Sequence, residues 1–310
     1  MTKEDTLGNL AREFKLALDA ELAGDRKSER RLPSREAVRE LCLGYLDLLF
    51  PVFYRPKGAA PGGSKARRYL ARVKNLLQEQ IACALRFDAL RRGAAIPPGI
   101  ADKARGEVLE LFRQLPELSG LLASDIDAAY QNDPAASSYE EILLSYPYIQ
   151  AITVQRLAHR LYRRKIPFIP RMMTEVEHGR TGIDLHPGAA IGEMFFIDHG
   201  TGVVIGETAT IGRNVTLYHG VTLGAFNPLA KDDQGDLRRG SKRHPDLEDH
   251  VTVYPGATIL GGKTRIGHHS IIGGNVWLTH SVAPYSRVTI EEPQLVILDR
   301  SSSPAIGEGI

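Results

Sequence analysis

Between Leu185 and Leu278 an aliphatic side chain recurs at every sixth position, in runs separated by short slips. The first run is Leu185, Ile191, Ile197 and Val203; the second, displaced by two residues, is Ile205, Ile211, Leu217 and Leu223. After an interruption come Leu247, Val253 and Ile259, then, one residue out of step, Ile266, Ile272 and Leu278. A period of six matches neither an amphipathic helix nor the alternation of a half-buried strand. It predicts a solenoid of short parallel strands with three sides and about 18 residues per coil, one aliphatic pointing inward from each side. Glycine follows the aliphatic at Ile191, Ile205, Ile211, Leu223, Ile266 and Ile272, where the backbone turns a corner. Solenoids of this kind are left-handed, an exception to the common handedness of parallel connections.

The first 170 residues lack the ladder. Apolar residues at helical spacing predict helices over 36–49, 68–90, 104–115, 117–130 and 139–162. Glycine- and proline-rich stretches at 55–64 and 93–98 read as loops, and the charged residues 1–35 as a mobile arm or marginal helix. The prolines of Ile166-Pro167-Phe168-Ile169-Pro170 end the last helix. The expected fold is α+β: an N-terminal all-α helical domain over 1–170, then a left-handed parallel β-helix over 171–287. A polar loop at 226–246 projects from the β-helix, and 288–310 forms a C-terminal tail.

Composition narrows the function classes. With 310 residues, 43% of them hydrophobic, the chain has material for two cores, and its formal charge of +2 offers no nucleic-acid-binding stripe. The basic run Arg163-Arg164-Lys165 reads as a solvated helix end beside the C-terminal dipole. No apolar run spans a membrane and no signal peptide is evident, so a cytoplasmic protein is expected. The two cysteines, Cys42 and Cys83, fall in the helical part without metal-ligand spacing, which argues against an acyl-cysteine intermediate in the solenoid.

Two polar constellations interrupt the ladder. His199 sits at the two-residue slip, where the regular coil opens; Asp198 adjoins it and Glu207 is close in sequence. An 18-residue coil places Asp184 opposite Gly202, near enough for its carboxylate to orient one imidazole nitrogen and leave the other as a general base. Asp198, as the immediate neighbour, is expected to point elsewhere, free to hold a substrate ammonium. The second constellation is Lys242-Arg243-His244-Pro245, where the projecting loop returns to the coil beside the wall expected to carry His199. Arginine offers a planar fork matched to a carboxylate, and the histidine adds a donor.

These stretches resemble the serine O-acetyltransferases, the hexapeptide-repeat acyltransferases that open cysteine synthesis from serine. The matching segments are 182–189, 197–208 and 220–224, with Arg243-His244-Pro245 and 256–261, and in the helical part Asn132-Asp133-Pro134-Ala135 and Arg156-Leu157-Ala158-His159. The first 100 residues or so resemble the longer-armed branch of the family. The resemblance implies His199 as general base with Asp184 as its orienting partner and Glu207 behind them. It implies a serine site of Asp133, Pro134, Asp198, Arg243 and His244, the aspartates toward the ammonium and the Arg243–His244 pair toward the carboxylate. For acetyl-CoA, the co-substrate, it implies contacts at Gly224, Ala225, Ala257 and Gly274. Ala225 stands where the family usually has glycine, and the following loop is longer and more acidic than usual. A thioester is already activated, so no metal is required and direct transfer in a ternary complex is expected.

The resemblance also implies partners. A terminal isoleucine such as Ile310 docks into O-acetylserine sulfhydrylase in this family, and its solenoids assemble as trimers or dimers of trimers, with active sites between neighbouring solenoids. Other readings stay open at this point: a hexapeptide acyltransferase with a sugar or antibiotic acceptor, a zinc carbonic anhydrase on the same solenoid, or a non-catalytic scaffold that binds the sulfhydrylase.

Overall fold

The computed structural model describes residues 32–51, 64–227 and 240–291. Among these, seven helices precede the solenoid: α1 (Arg35–Leu49), α2 (Ser64–Arg91), α3 (Ile100–Arg113), α4 (Leu115–Asn132), α5 (Tyr139–Ser145), α6 (Pro147–Arg163) and α7 (Ile169–Thr181). Helix α1 starts where the Ser34 hydroxyl accepts the Ala37 N–H at 3.2 Å. It buries Val38, Leu41, Cys42 and Tyr45, one face of a 3.6-residue period. None of the described helices is long and apolar enough to cross a membrane.

Two helical expectations are corrected. The helix expected over 139–162 breaks between α5 and α6, because Pro147 removes a donor and drives Tyr146 into extended backbone at φ −85°, ψ 114°. The domain boundary expected at 170 falls inside α7. Pro170 lies in the first turn of that helix, where its missing N–H costs nothing, and the helix runs on until Gly182 ends it at φ 71°.

The solenoid, a left-handed parallel β-helix, has three parallel sheets. Side one stacks Asp184–Leu185, Val204–Ile205, Thr222–Gly224, Thr258–Leu260 and Trp277–Leu278. Side two stacks Ala190–Ile191, Thr210–Ile211, Asp246–Leu247 and Arg265–Ile266. Side three stacks Phe196–Asp198, Thr216–Tyr218, Thr252–Val253, Ile271–Ile272 and Arg287–Val288. Neighbouring strands lie about 4.8 Å apart, and the sixth-position aliphatics form the interior, with Leu185, Ile205, Leu223, Ile259 and Leu278 at most 3% exposed. At roughly 1.5–3 kcal/mol for each such side chain, a continuous column of this kind holds every coil to the next.

The coils are not of equal length, which corrects the expected position of Asp184. It pairs with Val204, not Gly202, since the slip adds two residues at the corner 199–202. Further on, Thr222 pairs with Thr258 and Thr210 with Asp246, so one whole coil's worth of chain leaves the solenoid between Gly224 and Asp246. Only the two ends of that expected loop belong to the described residues. The tail expected from 288 begins inside the last coil, where Val288 still pairs with Ile272.

Helix α6 fastens the helical part to the first coil. Arg156, 4% exposed, makes a two-pronged ion pair with the fully buried Asp125 at 2.7 Å per contact, and donates to the carbonyls of Ile191 at 3.0 Å and Gly192 at 2.7 Å. Asp125 also accepts the Phe195 N–H at 3.0 Å. Beside it on the same helix, Gln155 donates to the Ala189 carbonyl at 2.9 Å, and one turn on His159 Nδ1 donates to that of Pro187 at 2.8 Å. The joint is therefore made of buried, satisfied polar contacts, and it fixes where Asp133 and Tyr146 stand relative to the coil.

Candidate active site

The candidate residues occupy two corners of the solenoid, at opposite edges of side one. At the corner entering side one, His199 has φ 58° and a side chain 71% exposed. Its Nδ1 lies 3.6 Å from the Asp198 carboxylate, too far for a hydrogen bond but within ion-pair range. Asp198, expected to point away, is thus the acid nearest the imidazole. Asp184, expected as the orienting partner, accepts from Arg171 Nη1 at 3.2 Å through Oδ1. The His219 ring lies one coil below His199, with ring centroids 5.5 Å apart.

Asp133 reaches this corner from the helical part. Its residue caps α4, its Oδ1 accepts the Ala135 N–H at 2.8 Å around the exposed Pro134, and its Oδ2 accepts from the Tyr146 hydroxyl. Burial first, then that hydrogen bond and the charges of Asp133, Glu141 and Asp198, hold the Tyr146 hydroxyl well above its ordinary range. Burial, then Tyr254, Asp198 and Asp133, raise Tyr218 in the same direction. Asp133, Asp198 and two neutral phenols therefore share one neighbourhood, an anionic pocket wall suited to an ammonium group.

The other corner, leaving side one, carries His244. Thr208 organises it: its hydroxyl oxygen accepts the N–H groups of Arg243 at 2.9 Å and His244 at 3.0 Å, and lies 2.9 Å from His244 Nδ1. Since Nδ1 accepts the Thr208 N–H at 3.0 Å, the imidazole carries its proton on Nε2 and presents a donor. Burial, with Arg243 beside it, depresses His244 to about 4, so it stays neutral. Its ring lies flat against Gly206, where a Cβ would come within 2.0 Å of Cδ2; no side chain fits there.

Arg243 pairs with Glu207, whose other oxygen accepts from the Tyr162 hydroxyl at 2.6 Å. Burial would raise Glu207, but Tyr162, Arg243 and His186 outweigh it and leave the carboxyl below its ordinary value. Tyr162 is pushed up to about 12 by burial and Glu207, so it remains a donor. Glu207 thus serves the arginine corner, not His199. His186 stands beside Tyr162, ring centroids 5.8 Å apart, accepts the Gly188 N–H on Nδ1, and is held down at about 4 by burial and Arg171.

One chain does not bring His199 and His244 together. A strand and its corners separate them, roughly 15 Å at ~3.3 Å per residue. The expected acetyl-CoA contacts divide likewise: Gly224 and Ala225 follow the His244 corner, and the exposed Gly274 lies on the His199 corner. Ala257 has a fully buried side chain, its N–H donates to the Tyr254 carbonyl and its own carbonyl accepts the Thr222 N–H. Tyr146, Tyr162, His186, Thr208 and Arg171 escaped sequence reading; only the proline after Tyr146 signalled that the backbone breaks there. Among the described residues one set of metal-type ligands, Glu175, His178 and Asp184, gathers within 4.8 Å, and the Arg171 guanidinium already pairs with both carboxylates. Ile310 lies outside the described residues.

The chain is 48% identical, over 81% of its length and 79% of the relative's, to a plasmid-borne serine acetyltransferase of Synechococcus elongatus. It is 45% identical to serine acetyltransferase of Bacillus subtilis over 54% of this chain and 72% of that one. Among solved structures, serine acetyltransferase 1 of Entamoeba histolytica in complex with L-cysteine superposes with a TM-score of 0.70 at 33% identity, covering 92% of this chain and all of that one. The Neisseria gonorrhoeae serine acetyltransferase in complex with serine gives a TM-score of 0.53 at 25% identity, covering 84% of this chain and 96% of the other. No family model matches the chain.

Proposed function

We propose how this site works from one premise: the chain belongs to the serine acetyltransferases and transfers an acetyl group from acetyl-CoA to the hydroxyl of serine. The observation that carries the mechanism is the pairing of two unlike half-sites on one side of the solenoid. Asp133 and Asp198 beside His199 suit the serine ammonium and hydroxyl, while Arg243 and the Nε2–H of His244 suit its carboxylate. Since the two corners bound the same side, the His199 corner of one copy meets the His244 corner of the next when copies close side by side, and serine then binds between them. Trp277, the single tryptophan of the chain, is 69% exposed on that side and reports on the association through its fluorescence.

In the proposed step His199, with Asp184 fixing its tautomer, takes the hydroxyl proton as the serine oxygen attacks the thioester carbonyl. The oxyanion is met by backbone N–H donors of the groove. The tetrahedral adduct collapses, the C–S bond breaks, and the imidazolium returns its proton to the departing thiolate. Cys42 lies buried in the helical part, 3.9 Å from the Met173 carbonyl, and burial raises its thiol far above the ordinary range, which supports direct transfer over an acyl-cysteine. Gly224, Ala225 and Gly274 line the two corners for acetyl-CoA, and docking of O-acetylserine sulfhydrylase on Ile310 rests on the family resemblance alone.

The test is coenzyme A thiol release from acetyl-CoA with serine, homoserine and amino sugars as acceptors. Serine is expected as the preferred acceptor, and His199→Ala to cost roughly 10²- to 10⁴-fold in kcat. Release at the wild-type rate by His199→Ala would refute the mechanism. Deletion of Ile310 is expected to abolish sulfhydrylase co-elution without changing thiol release; unchanged co-elution would remove that partner.

A further inference from the structure

We propose that Arg171 is a positioning residue for this reaction, holding the Asp184 carboxylate in the place from which it orients His199. The inference rests on the role proposed above for Asp184. Arg171 stands near the start of α7, and its fork divides between two acids. Nη2 pairs with Glu175, one helical turn on, while Nη1 leaves the helix and donates to Asp184 Oδ1 on the first strand of side one at 3.2 Å. A helix-surface ion pair would need only the first contact. The second bridges the turn at Gly182 and ties the last helix to the edge of the solenoid.

The geometry suits a carboxylate that has a second task. Only Oδ1 of Asp184 is taken; Oδ2 has no hydrogen-bond partner among the described residues. The Asp184 side chain is 20% exposed, so its rotamer is set by what stands next to it, and that neighbour is a planar guanidinium carried on a helix. The three acceptor groups gathered here, Glu175, His178 and Asp184, have their ligand atoms within 4.8 Å of one another, and Glu175 lies 3.2 Å from His178 Nδ1. Arg171 supplies the cation of that cluster. Its charge also reaches the candidate site itself, since after burial it is the main influence depressing His186. In the mechanism proposed above, the Asp184 oxygen that Arg171 leaves free is the one that takes the Nδ1–H of His199, and Nε2 is left to face serine.

A double-mutant cycle tests this. Arg171→Gln is expected to lower kcat about tenfold, the worth of one charge-assisted hydrogen bond to a carboxylate, with KM for serine and acetyl-CoA within about twofold. Asp184→Asn should cost more, and the double variant no more than Asp184→Asn alone, because Arg171 acts only through that carboxylate. Arg171→Lys, which keeps a cation beside Asp184, should recover part of the loss. Circular dichroism melting of each variant separates these effects from unfolding. A wild-type kcat for Arg171→Gln, or a tenfold loss that recurs in full on the Asp184→Asn background, would overturn the inference while leaving the proposed mechanism standing. A wild-type kcat for Asp184→Asn beside an inactive His199→Ala would instead remove the aspartate from the mechanism.

Discussion

We predict that the Thr208 hydroxyl, rather than the bulk of that side chain, builds the carboxylate half of the serine site. Thr208→Val keeps the shape and deletes the oxygen that meets Arg243 N at 2.9 Å, His244 N at 3.0 Å and His244 Nδ1 at 2.9 Å. A buried N–H left without an acceptor costs about 1–3 kcal/mol. His244 is 8% exposed and bears that cost, whereas Arg243 is half-buried at a loop end where water replaces the lost acceptor. The sum is about 2 kcal/mol against the observed turn, and at 1.36 kcal/mol per factor of ten the site loses up to about 30-fold in occupancy of its binding geometry. Steady-state thiol release should show this as a rise in KM for serine, with KM for acetyl-CoA little changed, since serine's carboxylate is the group served. Thr208→Ser retains the oxygen and should stay within about threefold of wild type. A serine KM within twofold of wild type for Thr208→Val, or equal defects in the Val and Ser variants, would refute the reasoning.

Three further outcomes follow from the same structure. Arg156→Leu leaves the fully buried Asp125 unpaired and should destabilise the protein by about 3–5 kcal/mol, read by chemical denaturation, with Asp125→Leu added to it restoring part of the loss. Lowering the pH should weaken the fold between about 6.5 and 4. His186 and His244 are both depressed from 6.5 to about 4, so the unfolded chain binds protons there that the native one refuses, and stability rises with pH across the window. A melting temperature flat from pH 6.5 to 4 would contradict the burial of both rings. Gly206→Ala should drive the His244 ring out of place, because its Cβ would stand 2.0 Å from Cδ2; about 1–3 kcal/mol of strain should appear in the melting temperature together with a raised serine KM.

Much of this architecture was legible in the residue order, for physical reasons. Each short strand must turn one aliphatic inward, so the six-residue spacing of Leu185, Ile191 and Ile197 is the coil itself, and the later runs repeat it. Helices were legible where apolar residues kept a 3.6-residue period, as over Val38, Leu41, Cys42 and Tyr45. They were misread where proline's position mattered more than its presence: Pro147 divides a helix, whereas Pro170 sits harmlessly in the first turn of another. The types of site residue stood out because polar side chains interrupting an aliphatic ladder have no packing reason to be there. Their partners did not, since the contacts of Asp133 with Tyr146, Asp184 with Arg171 and Glu207 with Tyr162 each join separate elements.

The sequence by itself therefore determined the period, the inward column and the residues gathered at the corners, all of which depend on neighbours along the chain. Tertiary structure alone decided which carboxylate faces which cation, that the first coil holds two extra residues, and that His199 and His244 stand at opposite edges of one side. Those outcomes depend on distances through space, set by how the corners bend and how α6 is bolted to the first coil through Arg156 and Asp125. No pattern of spacing along the chain encodes them.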